Sequence, residues 1–169
     1  MSPGSLLAGG FIMVSRRSLL LGGVAVAVMS APFRAAHSAA FEVSLTEEEW
    51  RRLLPPERYA ILRRHGTEAA GSSPLNGEKR KGLYRCAGCR KAAFSSESKY
   101  DSGTGWPSFT EALPNAVGMS EDRAFLLLTR TEIHCARCGG HFGHLFGDGP
   151  PPTGKRYCMN GLSLLFTET

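Results

Sequence analysis

Two Cys-x-x-Cys pairs, Cys86-Ala87-Gly88-Cys89 and Cys135-Ala136-Arg137-Cys138, stand 45 residues apart in this chain. Each pair turns tightly enough to aim two thiolates at one cation. Two such knuckles complete the tetrahedral four-sulfur site that zinc takes in a structural role. Whatever the fold, it has to bring these two turns together, with Gly88 and Gly139 easing them. Ligand identity alone also admits iron. Two disulfides are the rival reading in an oxidising compartment, although each would close a very small loop and add little stability. A redox pair of the thioredoxin type needs a helix N-terminus directly after a strand, and neither knuckle has that context.

The chain between and around the knuckles is β-rich. Short apolar runs with a period near 2 predict strands at Gly82–Arg85, Ala92–Phe94, Ala124–Ile133, Leu145–Phe146 and Tyr157–Phe166, with Ala124–Ile133 the longest and central. Asp101–Gly105 and Asp148–Gly154 carry Gly and Pro punctuation and read as loops. Before the first strand the periodicity is helical. Thr46 with Glu49 three residues on is a capping box, and Trp50, Leu53 and Leu54 form one apolar face. Pro55-Pro56 ends that helix and Pro56 starts another, through about Arg64, with Tyr59 and Leu62 inward and Gly66 supplying a left-handed end. The expected fold is mainly β, a compact domain with short N-terminal helices and a four-cysteine zinc site.

Residues 1–40 read as an address rather than as part of that domain. Arg16-Arg17 precedes an apolar run, Leu19–Met29, and the segment closes on Ser38-Ala39-Ala40. Those are the three parts of a secretory signal, and the paired arginines fit the twin-arginine type. The run is 11 residues long, against the ~20 a spanning helix needs, so no permanent membrane anchor is expected. Met13 is an alternative start, cleavage after Ala40 fits the small residues, and the mature domain is then 41–169, exported to the bacterial periplasm. The net charge of +5 has a local origin, because residues 1–40 hold three arginines and no acid and leave the body at +2. A body so near neutral gives little support for nucleic-acid binding.

The fifth cysteine, Cys158, carries the chemistry. Lys155 and Arg156 bring positive charge, which favours a thiolate. His141 and His144 supply imidazoles, and a Cys with His partners is a nucleophile with an acid–base group. Gly103-Thr104-Gly105 precedes Trp106-Pro107-Ser108-Phe109, and Trp106 suits one wall of a pocket for an S-methyl group. From the residues alone, core packing of Trp106 and Phe109 and a metal or core role for the histidines stay open.

Three runs, YDSGTGWPSF at 100–109, CARCGGHFGHLF at 135–146 and DGPPPTGKRYCMN at 148–160, together with both knuckles, resemble the zinc-containing B-type peptide-methionine (R)-S-oxide reductases. The resemblance spans about Leu45 to Phe166. It implies two antiparallel sheets and reduction of the R epimer of methionine sulfoxide in proteins, a protein-repair reaction of oxidative stress. It implies Cys158 as the nucleophile that becomes a sulfenic acid, His144 as proton donor with His141 assisting, and Asn160 orienting the polar group. Trp106 and Phe109 are implied to face the substrate, and Cys86, Cys89, Cys135 and Cys138 to bind structural zinc. Many relatives carry a resolving cysteine where this chain has Thr104. The expectation is therefore no internal disulfide, and an external thiol donor such as a thioredoxin-like protein. A monomer is expected. An exported zinc-ribbon-like binding module without catalysis is the alternative, and a different Cys-His enzyme is another.

Overall fold

The computed structural model describes residues 41–125 and 128–169, with the side chains of 123–128 left aside. The export-signal reading of residues 1–40 lies outside the described residues. Helices α1 (Glu47–Leu53) and α2 (Pro56–Arg64) come first. The capping box of α1 is present in both directions, with Thr46 accepting from the Glu49 N–H and Glu49 accepting from the Thr46 N–H, a motif worth ~1 kcal/mol. Trp50 and Leu54 turn inward, whereas Leu53 is exposed. Tyr59, Ile61 and Leu62 are the buried face of α2. His65, not Gly66, takes the left-handed position that ends α2, with φ 53°. Gly66 is required for another reason: a Cβ there would lie 2.9 Å from the Ala60 carbonyl oxygen.

The strands are β1 (Gly82–Cys86), β2 (Ala92–Ser95), β3 (Lys99–Tyr100), β4 (Ser108–Phe109), β5 (Val117–Phe125), β6 (Leu128–Cys135), β7 (His141–Phe146), β8 (Arg156–Met159) and β9 (Leu164–Glu168). They form two antiparallel sheets, ordered β2-β1-β9 and β3-β4-β8-β7-β6-β5. Two strand expectations are corrected. The run Ala124–Ile133 is not one central strand but the join of β5 and β6, which pair with each other and put β5 on the sheet edge. The run carries no Gly, Pro or Asn to mark a turn. Tyr157–Phe166 is likewise two strands, β8 and β9, in different sheets, with a 3-10 turn over Gly161–Ser163 carrying the chain between them.

The two sheets close over an aromatic core. Phe94 of β2 stacks on Phe109 of β4 at 4.4 Å between ring centres, and Tyr84 of β1 meets Phe109 edge-on at 4.9 Å. Phe142, Ile133, Met159 and Leu164 complete the buried interior. Helix α2 is fastened to the start of β9 and to the second knuckle: Arg58 donates to the Leu162 and Leu164 carbonyls, and Arg63 donates to the Cys138 carbonyl.

Candidate active site and metal centre

The two knuckles sit at the ends of β1 and β6, so closing the core brings them together. One ligand atom from each of Cys86, Cys89, Cys135 and Cys138 lies within 4.8 Å of the others. Cys86 and Cys138 approach to 3.7 Å between sulfurs, and Cys89 and Cys135 to 3.5 Å. Hydrogen bonds among the four hold Cys86 and Cys138 towards the protonated form and push Cys89 and Cys135 the opposite way. Such a set, sharing protons in a mostly buried cluster, is the donor arrangement a thiolate-seeking dication replaces. In the second knuckle Gly139 has φ 67°, the left-handed turn expected of it. In the first the left-handed residue is Arg90, at φ 65°. Gly88 serves instead to let the Trp50 ring approach, a Cβ there meeting it at 3.3 Å.

The second group of functional side chains is built by strand register. Glu132 of β6 is paired with His144 of β7, His144 with Cys158 of β8, and Cys158 with Ser108 of β4. Directly paired residues put their side chains on one face. The neighbouring row, Leu145, Tyr157 and Phe109, faces the opposite way. This explains the position of Phe109: it is fully buried between Phe94 and Tyr84 and does not reach the site, so its expected substrate contact is corrected to a core role. An irregularity between Ile133 and His134 adds a residue to β7 and reverses its alternation. Phe142 then turns into the core, and His141 joins His144 on the site face, ring centres 5.3 Å apart.

A cavity of about 150 Å³ is lined by Cys158, His144, Trp106 and Asn160 together with Arg130 and Phe146. Trp106 donates its indole N–H to the Glu68 carbonyl at 3.1 Å. The Cys158 sulfur lies 3.9 Å from the Thr104 hydroxyl oxygen. Thr104 in turn touches Ser102, and Ser102 touches Ser108. Arg156, two residues before Cys158, is closed by two hydrogen bonds to Asp148, and Lys155 is exposed. A larger cleft, about 620 Å³, shares Trp106 but holds no thiol or imidazole. Chemistry, not size, therefore makes the smaller cavity the candidate active site.

His144 shares a hydrogen bond with Asp122, Nε2 to Oδ2 at 2.7 Å, and Asp122 also accepts from Arg130 at 2.7 Å. Burial lowers the His144 pKa, while the hydrogen bond to Asp122 works against that fall. His141 is 1% exposed and does not line the cavity; its Nδ1 meets Glu132 Oε1 at 2.7 Å. Glu132 also accepts from Ser120 at 2.6 Å. Burial pushes the Glu132 carboxyl up, but the hydrogen bonds from His141 and Ser120 and nearby imidazole charge outweigh it and hold it at about 2. Asn160 lines the cavity, yet both ends of its amide bind backbone: Oδ1 accepts from the Glu68 N–H and Nδ2 donates to the Phe142 carbonyl, each at 3.0 Å. Among the described residues Asn160 makes no hydrogen bond to either histidine.

Asp122, Arg130, Glu132 and Glu68 were not anticipated. The first three belong to the polar alternation Ser120, Asp122 and Arg130, Glu132, a period of 2 that marks a site-facing row once β5 and β6 are separated.

Residues 54–168 match the SelR domain. The chain belongs to the SelR family, the B-type methionine sulfoxide reductases. SelR relatives named peptide methionine sulfoxide reductase MsrB include one from Agrobacterium fabrum, 51% identical over 74% of this chain and 93% of its own. Another, from Methanosarcina barkeri, is 50% identical over 73% and 87%, and one from Leptospira interrogans is 48% identical over 76% and 98%. The SelR match takes in both knuckles and all the cavity residues named above.

Proposed function

We propose that this chain reduces the R epimer of methionine sulfoxide in proteins, with Cys158 as nucleophile. The observation that carries the reading is the sharing of one small cavity by a thiol, an imidazole and an indole, in a chain whose relatives are named peptide methionine sulfoxide reductase. The Cys158 sulfur attacks the sulfoxide sulfur, and the oxygen takes a proton through His144. Collapse leaves the hydroxyl on Cys158 as a sulfenic acid and releases methionine. One external thiol then displaces water to give a mixed disulfide, and a second releases Cys158. Trp106 packs the substrate methyl group, and the adjoining cleft has room for the flanking polypeptide. His141 and Asn160 are positioning residues, acting through His144 and through the Glu68 and Phe142 backbone.

The donor is external because the other four thiols stand in the knuckle cluster, which supports structural zinc. Residues 1–40 act as a twin-arginine signal delivering a folded, metal-loaded monomer to the periplasm. Among the described residues no helix is long and apolar enough to cross a membrane.

The test gives the full chain a peptide carrying each sulfoxide epimer, with excess dithiothreitol, beside Cys158→Ser. Turnover of the R epimer alone, lost in the variant, is expected. Turnover of neither epimer by zinc-loaded protein would overturn the reading in favour of a zinc-ribbon-like binding module.

A further inference from the structure

We propose that His65, Glu132 and His141 form a second, reversible metal site, distinct from the four thiols, for a nitrogen-seeking transition-metal dication. One donor atom from each of the three lies within 4.8 Å of the others. The Nδ1 atoms of both imidazoles face the same carboxylate oxygen, Glu132 Oε1, at 3.1 Å for His65 and 2.7 Å for His141. An ion ~2.0–2.2 Å from each donor joins donors about 3 Å apart when they subtend a right angle. That spacing suits the tetragonal preference of nickel(II) or copper(II) over a tetrahedral ion.

The site is also prepared. Ser120 holds the other Glu132 oxygen at 2.6 Å. His141 is buried and its Nε2 has no hydrogen-bond partner, so the ring can change tautomer without breaking a bond on that side. The His65 side chain is 62% exposed and gives an ion its way in from solvent. Two imidazoles and one carboxylate leave further coordination positions for water, as expected of an exchangeable site. Occupation would hold His141 on the metal, beside His144. The inhibitory consequence, though not the binding, rests on the positioning role proposed for His141.

The probe is nickel(II), titrated into tag-free, zinc-loaded full chain. Calorimetry is expected to find one ion per chain beyond the zinc. The imidazole NMR signals of His65 and His141 are expected to broaden before any others. His65→Asn is the variant of choice, because Asn tolerates the left-handed backbone that His65 adopts. It is expected to weaken nickel binding ~10-fold or more while metal-free turnover is unchanged. Single turnover of pre-reduced enzyme, with no thiol present to compete for the metal, is expected to slow as the site fills. Absence of stoichiometric binding, or equal binding by His65→Asn, would overturn the site. His65-dependent binding with undiminished single turnover would sustain the site and overturn the role of His141 in the reaction.

Discussion

His144 and Cys158 are direct partners in the β7–β8 ladder. Their Cβ atoms are therefore neighbours because two backbones are hydrogen-bonded, not because a loop has folded over. Asp122 reaches the same imidazole from the sheet edge, at 2.7 Å.

Replacing Asp122 by Asn tests what that contact does. Burial lowers the His144 pKa and Asp122 opposes it. Without the carboxylate the imidazolium is less stable, so the proton is lost at a lower pH. The alkaline limb of the single-turnover rate should move to lower pH, with the maximum falling ~10-fold. A lower rate with an unmoved pH profile would make Asp122 merely structural.

Thr104→Cys should convert the regeneration chemistry. The Thr104 hydroxyl is 3.9 Å from the Cys158 sulfur, close enough for a thiol there to attack a sulfenic acid after a small loop adjustment. One turnover of this variant should yield an intramolecular disulfide, read as a mass loss of two hydrogens. The parent chain should instead retain a sulfenic acid that dimedone traps.

The Glu132 carboxyl should titrate with a midpoint at about 2 in the folded protein, against an ordinary 4.5, as followed by carbon NMR. A depressed folded value means its stabilisation is complete above 4.5 and is lost as pH falls through 2. Glu132→Gln should accordingly cost about 1–3 kcal/mol at neutral pH. The difference between the two proteins should narrow as the pH is lowered from about 5, in urea melts of each.

Metal removal should loosen the whole domain rather than one loop. Cys86 ends a strand of the three-stranded sheet and Cys135 ends a strand of the six-stranded sheet. Losing the ion unties the sheets from each other and leaves four thiols in a mostly buried cluster. Cys135→Ser, or a strong chelator, should lower stability by several kcal/mol and shift near-ultraviolet dichroism of the aromatic core. Unchanged melting on verified metal loss would contradict a structural role for the four-cysteine site.

Most of the site was legible because its parts are chemically rare: paired knuckles, a lone thiol, a His-x-x-His and a Trp-Pro run. Both helices were legible from their caps and prolines. What stayed hidden depended on register. Ala124–Ile133 contains a reversal with no turn residue, so Asp122 and Arg130, which pair across it, looked unrelated. The added residue in β7 brings His141 to the face of His144, which simple alternation denies. Phe109 was misread because one residue of displacement along a strand separates the cavity face, where Ser108 and Cys158 pair, from the core. Glu68 gave no signal at all, lying in an irregular stretch between α2 and β1.

Yet Glu68 meets both sides of the cavity. Its carbonyl receives the Trp106 indole, its N–H binds Asn160, and its carboxylate caps the Gly161 and Leu162 N–H groups. The spacing between indole and thiol strand is thus referred to a residue outside the 101–105 loop that holds Thr104. On the mechanism proposed above, the part of the molecule that measures the substrate and the part that decides how the thiol is renewed are separable. A lineage could exchange one source of electrons for another by altering the loop, and keep the same pocket throughout.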